Sequence, residues 1–166
     1  MTALEHLWSG WRSEYIAGVM AQRPPSDACF FCALQELDDA EAMILERSAT
    51  TFTVMNAYPY TSGHVLVAPL RHESTLVGLD EPEAADLMTA IRRANRALDA
   101  AYQPGGVNIG ANVGRAAGAA VPDHLHVHAL PRWDGDTNFM TAVADARVMP
   151  EGLRASYDKL RAAWPQ

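Results

Sequence analysis

Little in this sequence of 166 residues could staple it, anchor it or tether it to an anionic partner. Cysteine is scarce. Cys29 and Cys32 are the only two, which excludes the disulfide framework of small secreted domains. Long apolar runs are missing as well; stretches such as Val65–Pro69 are far too short to span a bilayer. Lysine occurs once, at Lys159, and 20 acidic residues against 13 basic ones give a net charge of −7. That balance argues against binding nucleic-acid backbone or an anionic membrane surface, which needs clustered cations. The start, Met1-Thr2-Ala3-Leu4-Glu5-His6, has neither the basic nor the apolar part of a signal peptide, so a cytoplasmic location is expected. What remains is an ordinary globular mix, 49% hydrophobic and 20% charged, in a chain long enough to bury a core unaided. With no repeat, low-complexity tract or linker, one domain over 1–166 is expected: an extension at 1–28, a core at 29–140, and a segment with a helix at 141–166.

Trp8, Trp11, Arg12, Tyr15 and Ile16 suggest a short helix, which Arg23-Pro24-Pro25-Ser26-Asp27 breaks. Met43–Glu46 and Thr51–Asn56 read as strands. His64–Pro69 is nearly continuous in apolar residues and reads as a central strand buried on both faces. The spacing of Ala84, Leu87, Met88, Ile91, Ala94, Leu98 and Ala101 predicts a helix over Glu81–Tyr102. It starts with a capping-box pair, Asp80 and Glu83, and ends at Pro104-Gly105-Gly106. Val107–Val113 alternates, with Val107, Ile109, Ala111 and Val113 on the face expected to be buried. His124–Leu130 reads as the last strand and Glu151–Trp164 as a C-terminal helix. The expected fold is α+β with a mostly antiparallel five-stranded sheet.

Half of the six histidines fall in His124-Leu125-His126-Val127-His128. Alternation puts the three imidazoles on one strand face, spaced roughly 6.5–7 Å at the Cα level, with Leu125, Val127 and Ala129 on the other. Such a row suits a metal site, or a neutral histidine nucleophile tuned by its neighbours. Upstream, Asn108-Ile109-Gly110-Ala111-Asn112-Val113-Gly114-Arg115-Ala116-Ala117-Gly118 places amides on one face and then a small-residue turn whose backbone can approach a phosphate. Together the two features point to phosphoryl or nucleotidyl chemistry.

The segment from Gly105 to Phe139, with His124-x-His126-x-His128 and Pro131-Arg132-Trp133, resembles the histidine-triad (HIT) family of nucleotide hydrolases and transferases. Asn56-x-x-Pro59-Tyr60-x-x-Gly63-His64-Val65-Leu66-Val67-Ala68-Pro69 resembles the family's N-terminal half. Leu7-Trp8-x-x-Trp11-Arg12-x-x-Tyr15-Ile16 and Gly135-Asp136-Thr137-Asn138-Phe139 resemble a bacterial branch close to diadenosine tetraphosphate phosphorylases, on the Fhit-like side. The resemblance implies a HIT-like fold, a homodimer built around the long helix and the sheet edge, and cleavage of dinucleoside polyphosphates through a nucleotidyl-histidine, by a hydrolase or a phosphorylase; the alternatives are a nucleotide-binding sensor with vestigial catalysis and a zinc-dependent hydrolase with its metal on the triad. It implies His126 as nucleophile, His128 at the phosphates and leaving group, and His124 orienting the catalytic ring or binding a metal. Asn56 would hold the ribose, and Asn112 with the backbone of Ala117 to Ala120, including Gly118 and Ala119, the phosphates. Ala119 stands where many members carry a polar residue, and the stretch from Gly118 to His124 is one residue longer than in the commonest members, so backbone N–H groups should carry more of the load.

Cys29-Phe30-Phe31-Cys32 alone reads as a redox pair, as two buried thiols or as half of a zinc site. The resemblance implies a structural zinc on Cys29, Cys32, His72 and His124. His64 reads as a hydrogen-bonded structural residue, Arg132 as a phosphate contact or a surface ion pair, and Trp133, Phe139 and Tyr60 as core or dimer contacts. No dedicated magnesium site is expected; Asp123, Asp134 and Asp136 are the nearby carboxylates, and magnesium would ride on the substrate's phosphates.

Overall fold

A computed structural model describes residues 29–136 and 150–165. The expected helix around Trp8 to Ile16, and Thr137, Asn138 and Phe139, lie outside them. Two short helices, α1 (Phe30–Leu34) and α2 (Asp39–Ala42), precede strands β1 (Ile44–Arg47), β2 (Thr51–Met55) and β3 (Val65–Pro69). The long helix α3 (Glu81–Tyr102) leads into β4 (Gly106–Gly110), a 3-10 turn (Arg115–Ala117), β5 (Val127–Arg132) and the last helix, α4 (Leu153–Ala163). The five strands form one sheet in the order β1-β2-β3-β5-β4, every pair antiparallel. No described helix is long and apolar enough to cross a membrane.

The central strands are buried along their whole length, and their alternation builds two apolar layers. Val65, Val67, Leu125, Val127 and Ala129 face Leu87, Ile91, Ala94 and Leu98 of α3 and Leu160 of α4. Leu66, Ala68, Phe52 and Val54 face the opposite way and pack on Phe31 of α1. His128 pairs in register with Leu66. The histidine face is therefore the face covered by α1, and the aliphatic face is the one covered by α3.

The bounds of α3 match the sequence expectation, and its capping box is closed from both sides: Glu83 N–H donates to Asp80 Oδ1 at 2.8 Å and Asp80 N–H to Glu83 Oε2 at 3.0 Å. Three expectations need correction. Met88, placed on the apolar face by its spacing, is 57% exposed, because the buried stripe runs through Leu87 and Ile91. The strand after α3 ends at Gly110 rather than Val113, and its supposed buried face is open: Ile109 is 50% and Val113 40% exposed, for β4 is the last strand of the sheet and only Val107 reaches the core. The last strand begins at Val127 and runs through Pro131 to Arg132, so His124 lies in a bend and His126 in irregular chain just ahead of it.

Asp86 on α3 clips the β1–β2 turn to the helix. Its Oδ2 accepts from Ser48 Oγ at 2.6 Å, Thr50 N–H at 2.9 Å and Thr50 Oγ1 at 2.7 Å. Removing a charged acceptor orphans these donors, so Asp86→Ala should lose about 2–3 kcal/mol of stability in urea unfolding. A loss below about 0.5 kcal/mol would show that the clip is replaced by water.

Candidate active site

The hydrogen bonds of the triad fix which nitrogen of each ring carries its proton. His126 Nδ1 lies 2.9 Å from the backbone carbonyl of His124. A carbonyl only accepts, so Nδ1 carries the hydrogen and Nε2 keeps a lone pair. The ring is nearly buried, and burial holds its pKa below the ordinary histidine value despite the bond to His124. At neutral pH it is uncharged, the form that can attack phosphorus.

His128 is oriented from its far side. The N–H of Tyr60 donates to His64 Nδ1 at 3.1 Å, and the Asn56 amide lies 3.2 Å from the same nitrogen. The proton of neutral His64 is therefore on Nε2, which donates to His128 Nδ1 at 2.9 Å. A neutral His128 then carries its own hydrogen on Nε2. His64 is fully buried; burial, and then the charges His128 and His126 can carry, lower its pKa to about 3. The Tyr60 ring stacks on His128, with centroids 5.9 Å apart and planes at 16°. His64 is thus hydrogen-bonded as the sequence suggested, and it also directs the proton of a triad histidine.

His124 turns the other way. Its Nε2 donates to the Pro69 carbonyl at 2.9 Å, leaving Nδ1 bare. Nδ1 sits 3.2 Å from Cys29 Sγ and 3.7 Å from Cys32 Sγ, while His72 Nδ1 is 3.5 Å from Cys32 Sγ. The four donor atoms all lie within 4.8 Å of one another. Tetrahedral zinc with bonds of about 2.0–2.3 Å spaces its nitrogen and sulfur ligands by about 3.5 Å, so this donor set fits a closed four-ligand metal site. Its chemistry fits too: burial and the neighbouring Cys29 push the Cys32 thiol up, a penalty that a bound cation relieves. On the triad itself only His126 Nε2 is bare; Nε2 of His128 carries a hydrogen and Nδ1 of His124 faces the cysteines, so the triad presents no second free nitrogen for a metal.

The loop bearing His72 is held by Arg71, which binds Glu83 through Nε at 2.8 Å and Nη2 at 2.7 Å and donates to the Gly78 carbonyl at 2.8 Å. That partner keeps the Glu83 carboxyl down at about 2. The next residue, Glu73, accepts the N–H of Leu125 through its backbone carbonyl at 2.6 Å, tying the loop to the triad segment.

Gly110 pairs with His128, which brings the chain after β4 towards the triad. Gly114 and Gly118 bracket the 3-10 turn with φ of 83° and 90°, in the left-handed range that favours glycine. Within this turn the N–H of Ala117 donates to Gly114 at 3.2 Å, that of Gly118 to Arg115 at 3.0 Å, and that of Ala119 to Gly114 at 3.4 Å. Asn112 and Ala120 are half-buried and Ala119 is buried. Arg132 is an ion pair: its Nη2 and Nε hold Asp136 at 2.8 and 2.5 Å, and Nη1 donates to Asn108 at 2.7 Å. Trp133 packs edge-on against Tyr102. One residue of the site went unread in the sequence: Phe31, between the cysteines, whose ring touches both His124 and His126.

The model of the HIT domain matches residues 38–135. The chain belongs to the HIT family. It is 36% identical over 165 residues to the AP-4-A phosphorylase of Mycobacterium tuberculosis, covering 97% of this chain and 85% of that one. It is 34% identical over 115 residues to the asymmetrical bis(5'-nucleosyl)-tetraphosphatase of Schizosaccharomyces pombe, covering 69% of this chain and 63% of that one. Among solved structures, a zinc-bound histidine triad family protein from Mycobacterium smegmatis superposes with a TM-score of 0.66 at 31% identity, covering 82% of this chain and 92% of that one.

The buried neutral His64 of this HIT protein makes its stability depend on pH. Between about pH 6.5 and 3 the unfolded chain takes up a proton at residue 64 that the folded chain refuses, so stability falls as pH falls through that range. Urea unfolding at pH 7 and pH 5 should show wild type losing about 2 kcal/mol more than His64→Gln over this interval. Parallel losses in the two proteins would contradict the assignment of a neutral, buried ring.

Proposed function

We propose that this HIT protein cleaves dinucleoside polyphosphates through a covalent nucleotidyl-His126, passing the nucleotide to inorganic phosphate. The observation that carries the reading is the pair of opposed tautomers: a bare Nε2 on His126 beside an Nε2–H on His128, each set by a bond on the other side of its ring. In the first step the His126 Nε2 lone pair forms a bond to the α-phosphorus. The bond from that phosphorus to the bridging oxygen breaks, and the departing oxygen leaves as a phosphate anion that accepts a hydrogen bond from His128 Nε2–H. In the second step an oxygen of phosphate attacks the same phosphorus and frees His126. Splitting one displacement into two lets one neutral ring serve as nucleophile and then as leaving group. Phosphate as acceptor is favoured by the likeness to the mycobacterial phosphorylase, which extends over nearly the whole chain.

Asn56 would hold the ribose hydroxyls, and Asn112 with the turn at Gly118, Ala119 and Ala120 the phosphates. The turn uses the N–H groups of Ala117 and Gly118 for itself, so the long 3.4 Å bond at Ala119 is the one a phosphate oxygen can replace. Zinc on Cys29, Cys32, His72 and His124 would be structural, holding α1 and the His72 loop against the triad segment and supplying no bond to the reacting atoms. Magnesium would enter on the substrate's phosphates. The exposed apolar side chains at the β4 end of the sheet, Ile109 and Val113, suit a homodimer interface.

Diadenosine tetraphosphate incubated with phosphate should give ADP and ATP. AMP and ATP, formed at the same rate with or without phosphate, would overturn phosphate as acceptor, and no cleavage of any dinucleoside polyphosphate would overturn the reading. His126→Ala should lower turnover by about 10³-fold or more while nucleotide binding persists.

Protein purified without added metal or chelator should carry one zinc per chain, and Cys32→Ser should lose it. Metal-free protein with freely titrating thiols and an intact fold would remove the metal site and leave the triad chemistry standing.

A further inference from the structure

Helix α1 is only five residues long, its N-cap Cys29 makes no side-chain capping bond, and no acidic residue stands in its first turn. A helix this short has no stability of its own in water. It is held by Cys29 and Cys32 on the side of His124 and His72, by Phe31 in the apolar layer on β2 and β3, and at its C-cap by Gln35, whose side-chain amide donates to the Leu70 carbonyl at 3.0 Å. Phe31 is 1% exposed. Its ring centroid lies 4.9 Å from that of His126, with the planes at 34°, and 5.2 Å from that of His124. Phe52, at 6.3 Å, lies against the same ring.

The bond from His126 Nδ1–H to the His124 carbonyl fixes one end of the imidazole, and a single hydrogen bond leaves the ring free to rock about it. His128 borders the ring at 5.2 Å, edge-on. Phe31 lies against the ring as well, at 4.9 Å. We infer that Phe31 is a positioning residue that holds the His126 ring in its attacking orientation, and that the cysteine–histidine metal site acts on the reaction through Phe31. The two cysteines flank Phe31 in a single turn of chain, so losing the metal releases the turn and Phe31 moves with it. This rests on His126 as the nucleophile proposed above. It assigns to the metal site a dependence of the chemical step that runs through packing alone.

The test combines Phe31→Ala and Phe31→Leu with removal of the metal by a chelator. Leu98→Ala, a fully buried position on the far apolar layer, serves as a matched loss of core volume. In the metal-loaded protein without substrate, the imidazole 15N spectrum of His126 should show the single Nδ1–H tautomer in wild type and in Leu98→Ala. It should show an exchange-averaged mixture in Phe31→Ala and in chelated wild type. In single-turnover experiments, formation of the nucleotidyl-enzyme should slow about 10- to 100-fold in Phe31→Ala with little change in KM, and less in Phe31→Leu. Chelation should slow wild type by a similar factor and slow Phe31→Ala hardly further, the non-additivity expected of two changes acting through one contact. A single His126 tautomer in Phe31→Ala, or chelation slowing wild type and Phe31→Ala equally, would overturn the inference. The spectrum needs no substrate, so its result stands even if the proposed reaction fails.

Discussion

A carbonyl oxygen has no proton to give. The 2.9 Å bond between the His124 carbonyl and His126 Nδ1 therefore leaves His126 one possible neutral form, with Nε2 bare. Much of the molecule serves to keep that carbonyl in place. The side chain of the same residue reaches Pro69 and the two cysteines, the next N–H is held by Glu73, and the loop carrying Glu73 is clamped by Arg71 to the capping box of α3. His124 thus offers its side-chain nitrogen to the cysteine–histidine cluster and its backbone carbonyl to the His126 ring. The cysteine–histidine cluster and the His126 ring share that residue and do not compete for it.

Charge explains why the site is built from neutral donors. The protein carries −7 overall, and of the two arginines near the triad motif Arg132 is already bound by Asp136 in a two-point ion pair, leaving the exposed Arg115. A polyphosphate must then be met by amides, backbone N–H groups and imidazoles. Such donors stabilise developing charge well when they are fixed in advance and screened from water. The burial that depresses His126 and His64 is the same property seen from the protein's side: it keeps both rings uncharged.

The elements that were legible in the sequence are those whose signal is local. The ends of α3 match because Asp80, Glu83 and the Pro104-Gly105-Gly106 break act within a few residues of themselves. The double burial of β3 was plain from its unbroken apolar run. Alternation misled at β4, since it shows that two faces differ and says nothing of what covers either; at the edge of the sheet Ile109 is left exposed. The helix α1 is too short for any periodicity to reveal, so the sequence showed Cys29 and Cys32 as possible ligands and gave no hint that Phe31 between them lies on the His126 ring. The four metal-ligating candidates and the triad were readable as residue types at spacings. Their tautomers were not, because a tautomer depends on the atom across the gap: the Pro69 carbonyl, the His124 carbonyl and the Tyr60 N–H.

The proposed chemistry requires that His126 Nε2 become bonded to phosphorus. Rapid mixing of the protein with diadenosine tetraphosphate, followed within a turnover by alkaline denaturation that preserves phosphoramidates, allows the peptide containing His124 to His128 to be sequenced by mass spectrometry. One adenylyl group should be found on that peptide, attached at His126, forming no more slowly than product is released. Product forming at full rate with no nucleotide on His126 at any time would contradict the proposed chemistry.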